Sequence, residues 1–367
     1  MKRLFCLVLA ALLLAGCSAK EEAAEATTLS TESTGPVQTE PVTEATEPPT
    51  EVTEEPTEPP EEHYLFTFAG DCTFGSLEEH IRSEYGFTMT VGDDYGFPFR
   101  NVAEYFLEDD FSMVNLEGVL GYEGRKSSKR YNFHGDGAFV NILTDNSVDA
   151  VTLANNHTMD YGAEGYFETR VLLKEAGIPF VETNEEILHV LESGLMIGIY
   201  GTVYNEMEGE EEVLEEIREL KEQGADLVIY APHWGVENTF RPQQDQVDLA
   251  HAAIDAGADI VYGTHPHVLQ PIEEYNGGVI FYSLGNFSFG GNMYPADYDT
   301  AVIQQEVIRA ADGTVTLGER TVVPCSISSI ENRNNYQPTP YEEGTAEYER
   351  VISKLDGSYK GRNLPVR

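Results

Sequence analysis

From Tyr64 onward, short apolar runs alternate with polar turns, and most runs are too short to be helices. His63–Ala69, Asp110–Leu116, Val148–Leu153, Ile178–Val181, Leu195–Tyr200, Asp226–Ala231 and Asp259–Tyr262 predict strands. They are rich in β-branched and aromatic residues and end in turn chemistry. Helical spacing fills the intervals. One helix runs through Lys174 and stops at Gly177, Glu210–Gln223 places Leu214, Ile217 and Leu220 on one face, and Gln243–Ala256 closes at Gly257. The pattern then changes. Val268–Glu273 and Val279–Ser283 flank a hairpin turn at Asn276-Gly277-Gly278, and Thr300–Ala310 and Thr314–Pro324 alternate like antiparallel partners. Glu342–Leu355 predicts a closing helix followed by a loose tail. Strands alternating with helices, then strands alone, fit an α/β (α+β) domain with mixed sheets.

The first 62 residues lack this patterning. Lys2 and Arg3 precede an apolar stretch, Leu4–Leu14, too short to span a bilayer comfortably. Leu14-Ala15-Gly16-Cys17 follows and resembles a bacterial lipobox. That implies a signal peptide over 1–16 and a lipid anchor on Cys17, where two acyl chains would hold the chain stably to a membrane. Residues 17–62 are mostly Thr, Glu, Pro and Ala and cannot bury a core, so they predict a disordered tether. As a flexible coil it would span on the order of 40 Å. The folded domain is expected over 63–330, with 331–367 as a C-terminal extension.

Composition narrows the partners. The 367-residue chain carries a formal net charge of -42, which argues against nucleic acid and anionic membrane surfaces. Anionic substrates stay open, because a bound metal inverts the local field. Arg125, Lys126, Lys129 and Arg130 form a basic cluster in the loop Gly121–Gly137, suited either to attracting an anion or simply to solvating the loop. With Cys6 in the signal and Cys17 lipidated, Cys72 and Cys325 remain. A disulfide between them is disfavoured because Cys72 sits in a candidate site turn.

The candidate chemistry lies where strands end. Asp71 follows Gly70, Asn115 and Glu117 precede Gly118, and Asn155, Asn156, His157 and Asp160 crowd one strand-to-helix turn. One helix cap explains one of those four, not three. His233 ends another strand, and His265 and His267 flank Pro266 after the run Asp259–Tyr262. Residues two apart in extended chain point the same way. Open α/β sheets bind ligands at these ends. Carboxylates, an amide and imidazoles together suit two divalent ions, with Mn, Zn or Fe as candidates.

Six ordered segments, AGDCTFG, NLEG, ANNHTMDYG, PHWGVE, GTHPHVLQP and YSLGNFSFG, resemble the CapA family of poly-γ-glutamate capsule synthesis proteins, the PgsA type. The resemblance covers roughly Tyr64–Ile308 and implies a relation to calcineurin-like metallophosphoesterases. It implies a four-layer αββα sandwich with a two-metal centre. Asp71 takes the place of the first metal-binding Asp and a catalytic position, and Glu117 that of the bridging Asp. Asn156 matches the Asn ligand and His157 the catalytic His. His233 and His265 match ligands of one metal, and His267 a ligand of the other. Asn115, Asn155 and Asn286 are expected near substrate. The phosphoesterase pattern has a His where this chain has Thr73, and Glu117 is longer than the Asp it replaces. The resemblance implies a surface, metal-dependent hydrolase-like protein that handles anionic poly-γ-glutamate, or works with capsule synthesis membrane proteins. The alternatives are a non-catalytic polymer-binding or assembly component, or a surface phosphoesterase on small molecules.

Overall fold

The computed structural model describes residues 61–365, apart from 205, 206 and 208. The signal segment 1–16, Cys17 and nearly all of the tether 17–62 lie outside the described residues. Strand β1 (Glu62–Thr73) is followed by short helices α1 (Phe87–Val91) and α2 (Ala103–Leu107), then β2 (Phe111–Leu116). A two-residue pair, β3 (Val119–Leu120) and β4 (His134–Gly135), and helix α3 (Asn141–Asp145) lead to β5 (Ala150–Thr152) and α4 (Gly162–Ala176). Gly177 ends α4 at φ 76°, a left-handed cap that glycine adopts without strain.

The middle of the chain supplies β6 (Phe180–Val181), β7 (Glu185–Val190), β8 (Met196–Val203), α5 (Glu210–Glu222), β9 (Leu227–His233), α6 (Gln244–Ala256) and β10 (Ile260–Tyr262). The hairpin β11 (Ile272–Tyr275) and β12 (Gly278–Phe281) turns through Asn276 and Gly277 at φ 45° and 90°. The chain closes with β13 (Asn286–Phe289), β14 (Asp299–Arg309), β15 (Val315–Ser326), β16 (Thr339–Pro340) and α7 (Ala346–Leu355).

Two sheets result. The first runs β16-β15-β14-β1-β2-β5-β6, with β13 also on β1, and the second runs β11-β12-β10-β9-β8-β7. Both are mixed, as the sequence pattern predicts: β1, β2, β5 and β6 are parallel neighbours, while β14 and β15 are antiparallel. Between the sheets lies a core that includes Phe66, Phe68, Met113, Ile199, Ile229, Tyr262 and Phe281. The outer face of the first sheet packs Val114, Leu116 and Val151 against Phe87, Phe106 and Leu173 of its helices. The outer face of the second packs Tyr230 and Val261 against Ile217, Leu220 and Leu249. This is the four-layer αββα sandwich.

Three details depart from the sequence pattern. Strand β7 shows only weak alternation, because it is a sheet edge that exposes Leu188 and Val190. The boundary at residue 330 separates nothing: β16 extends the first sheet, Tyr336 is fully buried in the helical core, and α7 buries Val351 and Leu355. The tail after α7 is not loose. Tyr359 packs edge-on against Phe240, Asn363 Oδ1 accepts from Phe240 N at 3.1 Å, and Leu364 N donates to Asn238 O at 3.0 Å. Cys72 and Cys325 are both buried and free.

Lys354 anchors this carboxyl-terminal arrangement. Its side chain is 1% exposed, and its ammonium lies 2.7 Å from both Asp297 and Asp299. Lys354→Met would keep the stem and strand the Asp297 carboxylate, leaving Asp299 to Arg350, a loss of about 3–5 kcal/mol that a urea denaturation series should show. Asp109, just before β2, gives a second test. One of its oxygens is buried without a partner, and burial pushes its carboxyl up to about 7. A carboxyl that titrates higher when folded than unfolded lowers stability as pH rises from about 4 to about 7. Asp109→Asn should therefore raise the urea midpoint at pH 8 and leave it nearly unchanged at pH 4.

Candidate metal centre

Backbone geometry brings distant segments to one point. Asp71 pairs in register with Asn115 of β2 on one side and Asn286 of β13 on the other. That close approach needs Gly70, where a Cβ would lie 2.0 Å from the Gly285 carbonyl oxygen. Gly263 serves the second sheet in the same way, since a Cβ there would meet Tyr282 O at 2.4 Å. Beyond it, His265 and His267 hold φ of 97° and 56°, conformations costly for side-chain-bearing residues and concentrated at functional sites.

Two donor sets form. In the first, donor atoms of Asp71, Glu117 and His267 lie within 4.8 Å of one another. Asp71 is 1% exposed and Glu117 fully buried. Asn115 Nδ2 donates to Asp71 Oδ1 at 2.9 Å and to Glu117 Oε2 at 3.4 Å. The other oxygens, Asp71 Oδ2 and Glu117 Oε1, are buried without a hydrogen-bond partner. Asp71 Oδ2 lies 3.2 Å from His267 Nδ1, and Glu117 Oε1 lies 3.7 Å from both His267 Nε2 and His157 Nε2.

The second set is uncharged. His233 Nε2 lies 3.1 Å from Asn156 Oδ1 and 3.0 Å from His265 Nδ1. His233 Nδ1 meets Thr264 Oγ1 at 2.9 Å, an orienting contact of the kind that fixes a ligand's tautomer. The His265 and His267 ring centroids are 5.9 Å apart, so the two sets adjoin.

Burial dominates the electrostatics of both sets. Burial lifts Glu117 well above the usual carboxylate range, with Asp71 adding to it and His267 opposing. Burial disfavours charge on His267, but Glu117 and Asp71 outweigh it and raise the imidazole to about 10. Burial, then the neighbouring His267, lowers His265 to about 4, and burial lowers His233 further below its ordinary value. Neutral imidazoles are the liganding form. Orphaned carboxylate oxygens beside imidazoles, in a dry pocket, are a donor set that fits divalent ions.

Several sequence expectations change here. Asn115, expected near substrate, is spent inside the protein, while Asn155 bonds inward and also lines a cavity beside Lys129. Asn155 Nδ2 donates to Asn115 Oδ1 at 3.0 Å and to Leu116 O at 2.9 Å, while its Oδ1 accepts from His157 N at 3.0 Å. They position the ligands instead. Asn286 does face the cavity, and its Oδ1 lies 2.9 Å from His267 Nδ1. Thr73, where the phosphoesterase pattern has His, turns its hydroxyl to Glu117 O at 2.7 Å and away from a ligand role. Among the described residues, Glu117 joins the acidic set and no carboxylate joins the His233–His265 pair.

Other site residues had weaker signals. Asp160 is fully buried and meets His157 Nδ1 at 2.6 Å, and its only signal is its place three residues after His157. Of the basic cluster, Lys129 reaches the site, donating to the Asn156 carbonyl and to Asp160 Oδ1 at 3.3 Å. Lys126 pairs with Glu78 and Arg130 stacks on Tyr131. A cavity of about 570 Å³ opens beside His157 and His267, walled by Tyr131, Phe133, Tyr294 and Pro365.

The described residues form an αββα sandwich with carboxylates, amides and imidazoles gathered at the carboxyl ends of its strands, where open α/β sheets bind ligands. Residues 65–291 match the family described as "Bacterial capsule synthesis protein PGA_cap", and the chain belongs to that family. It is 31% identical to the "Capsule biosynthesis protein CapA" of Bacillus anthracis, over 72% of this chain and 68% of that protein. It is 29% identical to the "PGA biosynthesis protein CapA" of Bacillus subtilis (strain 168), over 73% of this chain and 75% of that one. Among solved structures it is similar to the Haemophilus influenzae NAD nucleotidase NadN, with a TM-score of 0.40 and 12% identity, covering 82% of this chain and 63% of that chain.

Metal should act first on stability. At a hundredfold excess over Kd, a bound ion adds about 2.7 kcal/mol to folding. Added Mn²⁺ should raise the melting temperature of the chelator-stripped protein. Asp71→Asn, which removes a buried charge, should be at least as stable as the stripped parent and gain nothing from Mn²⁺.

Proposed function

We propose that the protein is a metal-dependent, hydrolase-like component of the cell surface that acts in the synthesis, export or anchoring of poly-γ-glutamate. The convergence of Asp71, Glu117 and His267, with two buried carboxylate oxygens that only imidazoles approach, carries this reading. The printed names of the two Bacillus relatives support the direction. Asp71, Glu117 and His267 would hold one divalent ion, and Asn156, His233 and His265 a second, with Mn, Zn and Fe as candidates. Such ions supply Lewis acidity and an acidified water.

The chain's own groups do the rest. Asp160 fixes the His157 ring through Nδ1 and leaves Nε2 toward the site, where it can protonate a leaving group. Asn155 ties that turn to the end of β2, so the acid and the ligands move as one body. Lys129 adds the positive charge that an anionic chain would seek. Lipid on Cys17 and the tether would hold the domain off the membrane, beside the polymer or other capsule synthesis membrane proteins. A second reading, polymer binding without turnover, draws on Thr73, whose hydroxyl is committed to the backbone where the phosphoesterase pattern places a ligand.

His157→Ala and His265→Ala separate these readings. Both should lower polymer output from the host, and only His265→Ala should lower the metal that the purified protein retains in the presence of phosphate or polymer. Undiminished output from both variants would refute the catalytic reading.

A further inference from the structure

The two donor sets differ in charge. The acidic set brings two carboxylates to one imidazole, enough to neutralise a dication. The other brings two imidazoles and an amide and no formal charge. A cation also stands beside it, because Lys129 donates to the backbone carbonyl of Asn156 itself. Asp160 answers Lys129 at 3.3 Å but is shared with His157 and with Phe133 N. A second dication here would therefore face Lys129 and a neighbouring dication with no anionic ligand of its own. Repulsion between such ions grows with the product of their charges and is weakly screened in a buried site.

Room for the missing charge exists on that side. A cavity of about 460 Å³ is lined by Lys129, Asn155, Asn156, Met159 and Glu182. Of its two acids, Glu182 is engaged by Arg170 at 3.1 Å and by Tyr166, and Glu185 is exposed to solvent. Lys129 keeps 45% of its side chain exposed, so it can meet an incoming anion.

We propose that the Asn156–His233–His265 set takes up a divalent ion only together with an oxyanion, while the Asp71–Glu117–His267 set holds its ion in the resting protein. The inference rests on the metal-dependent reading above and adds a condition: the substrate's own phosphate or carboxylate oxygens complete the second half of the site. The resting protein holds one metal, and the loaded protein holds two.

The experiment counts ions. The full chain is stripped with chelator, incubated with Mn²⁺, passed through a desalting column and assayed for retained manganese. One equivalent is expected without added anion, and two with an oxyanion present. Inorganic phosphate and γ-glutamyl oligomers are tested in parallel arms, and the arm that secures the second ion names the substrate's oxyanion. Asn156→Asp supplies the absent charge within the chain and should retain two equivalents with no anion. His265→Ala should retain one under every condition.

Two equivalents retained by the unmodified chain without anion would overturn this inference and leave the metal-dependent reading intact. One equivalent in both arms, with Asn156→Asp also at one, would overturn it too. No retained manganese under any condition would overturn both.

Discussion

The structure turns on two carboxylates buried at the ends of adjacent strands with nothing in the protein to neutralise them fully. Asp71 and Glu117 each keep a buried oxygen without a hydrogen-bond partner. Removing an unpaired charge from water is among the costliest acts of folding. The chain spends much of its order making that arrangement rigid. Gly70 admits β13 to within hydrogen-bonding distance of β1, Asn115 links the two acids, and Asn155 braces Asn115 from the next strand. Local stability is given up for a site that a cation would complete.

The same molecule shows the opposite solution elsewhere. Asp297 and Asp299 are also withdrawn from water, but Lys354 and Arg350 reach them at 2.7 Å. There the counterion is covalent and always present, and the result is a fixed corner joining α7, the cavity wall and the terminal segment. At Asp71 and Glu117 the partners within 4 Å, among the described residues, are the imidazoles of His267 and His157. The contrast between the two acid pairs separates scaffold from site without reference to any relative.

Much of this was legible in the sequence. Apolar runs ending in Gly-Asp, Glu-Gly, Asn-Asn-His, Pro-His and Thr-His-Pro-His gave strand-end positions for Asp71, Glu117, Asn156, His157, His233, His265 and His267, and a doubly layered sheet brings strand ends together. Periodicity could not show which polar side chains turn inward to each other. Asn115 and Asn155 look like substrate contacts because amides often are, yet their bonds close on themselves. Asp160 stood out only as one of four polar residues in a turn, and Thr264 gave no signal, since a buried orienting residue leaves no spacing signature. The carboxyl-terminal boundary failed for a related reason. The polar stretch after Ser326 carries buried Asn334, Asn335 and Gln337, whose burial depends on partners far away in the chain.

Strand β1 imposes an order in time as well as in space. Its amino-terminal half pairs with β14, beginning at Glu62 opposite Arg309, and its carboxyl-terminal half pairs with β13. The first strand among the described residues thus meets the early β2 on one edge and must wait on the other for β13 and β14, made near the end. Contacts this distant in sequence close slowly, because loop entropy is lost before the pairing is gained. Until the last quarter of the chain exists, the aromatic face of β1 has no permanent cover on that side. A nascent chain of this kind stays open, and therefore threadable and exposed to chaperones, for most of its translation.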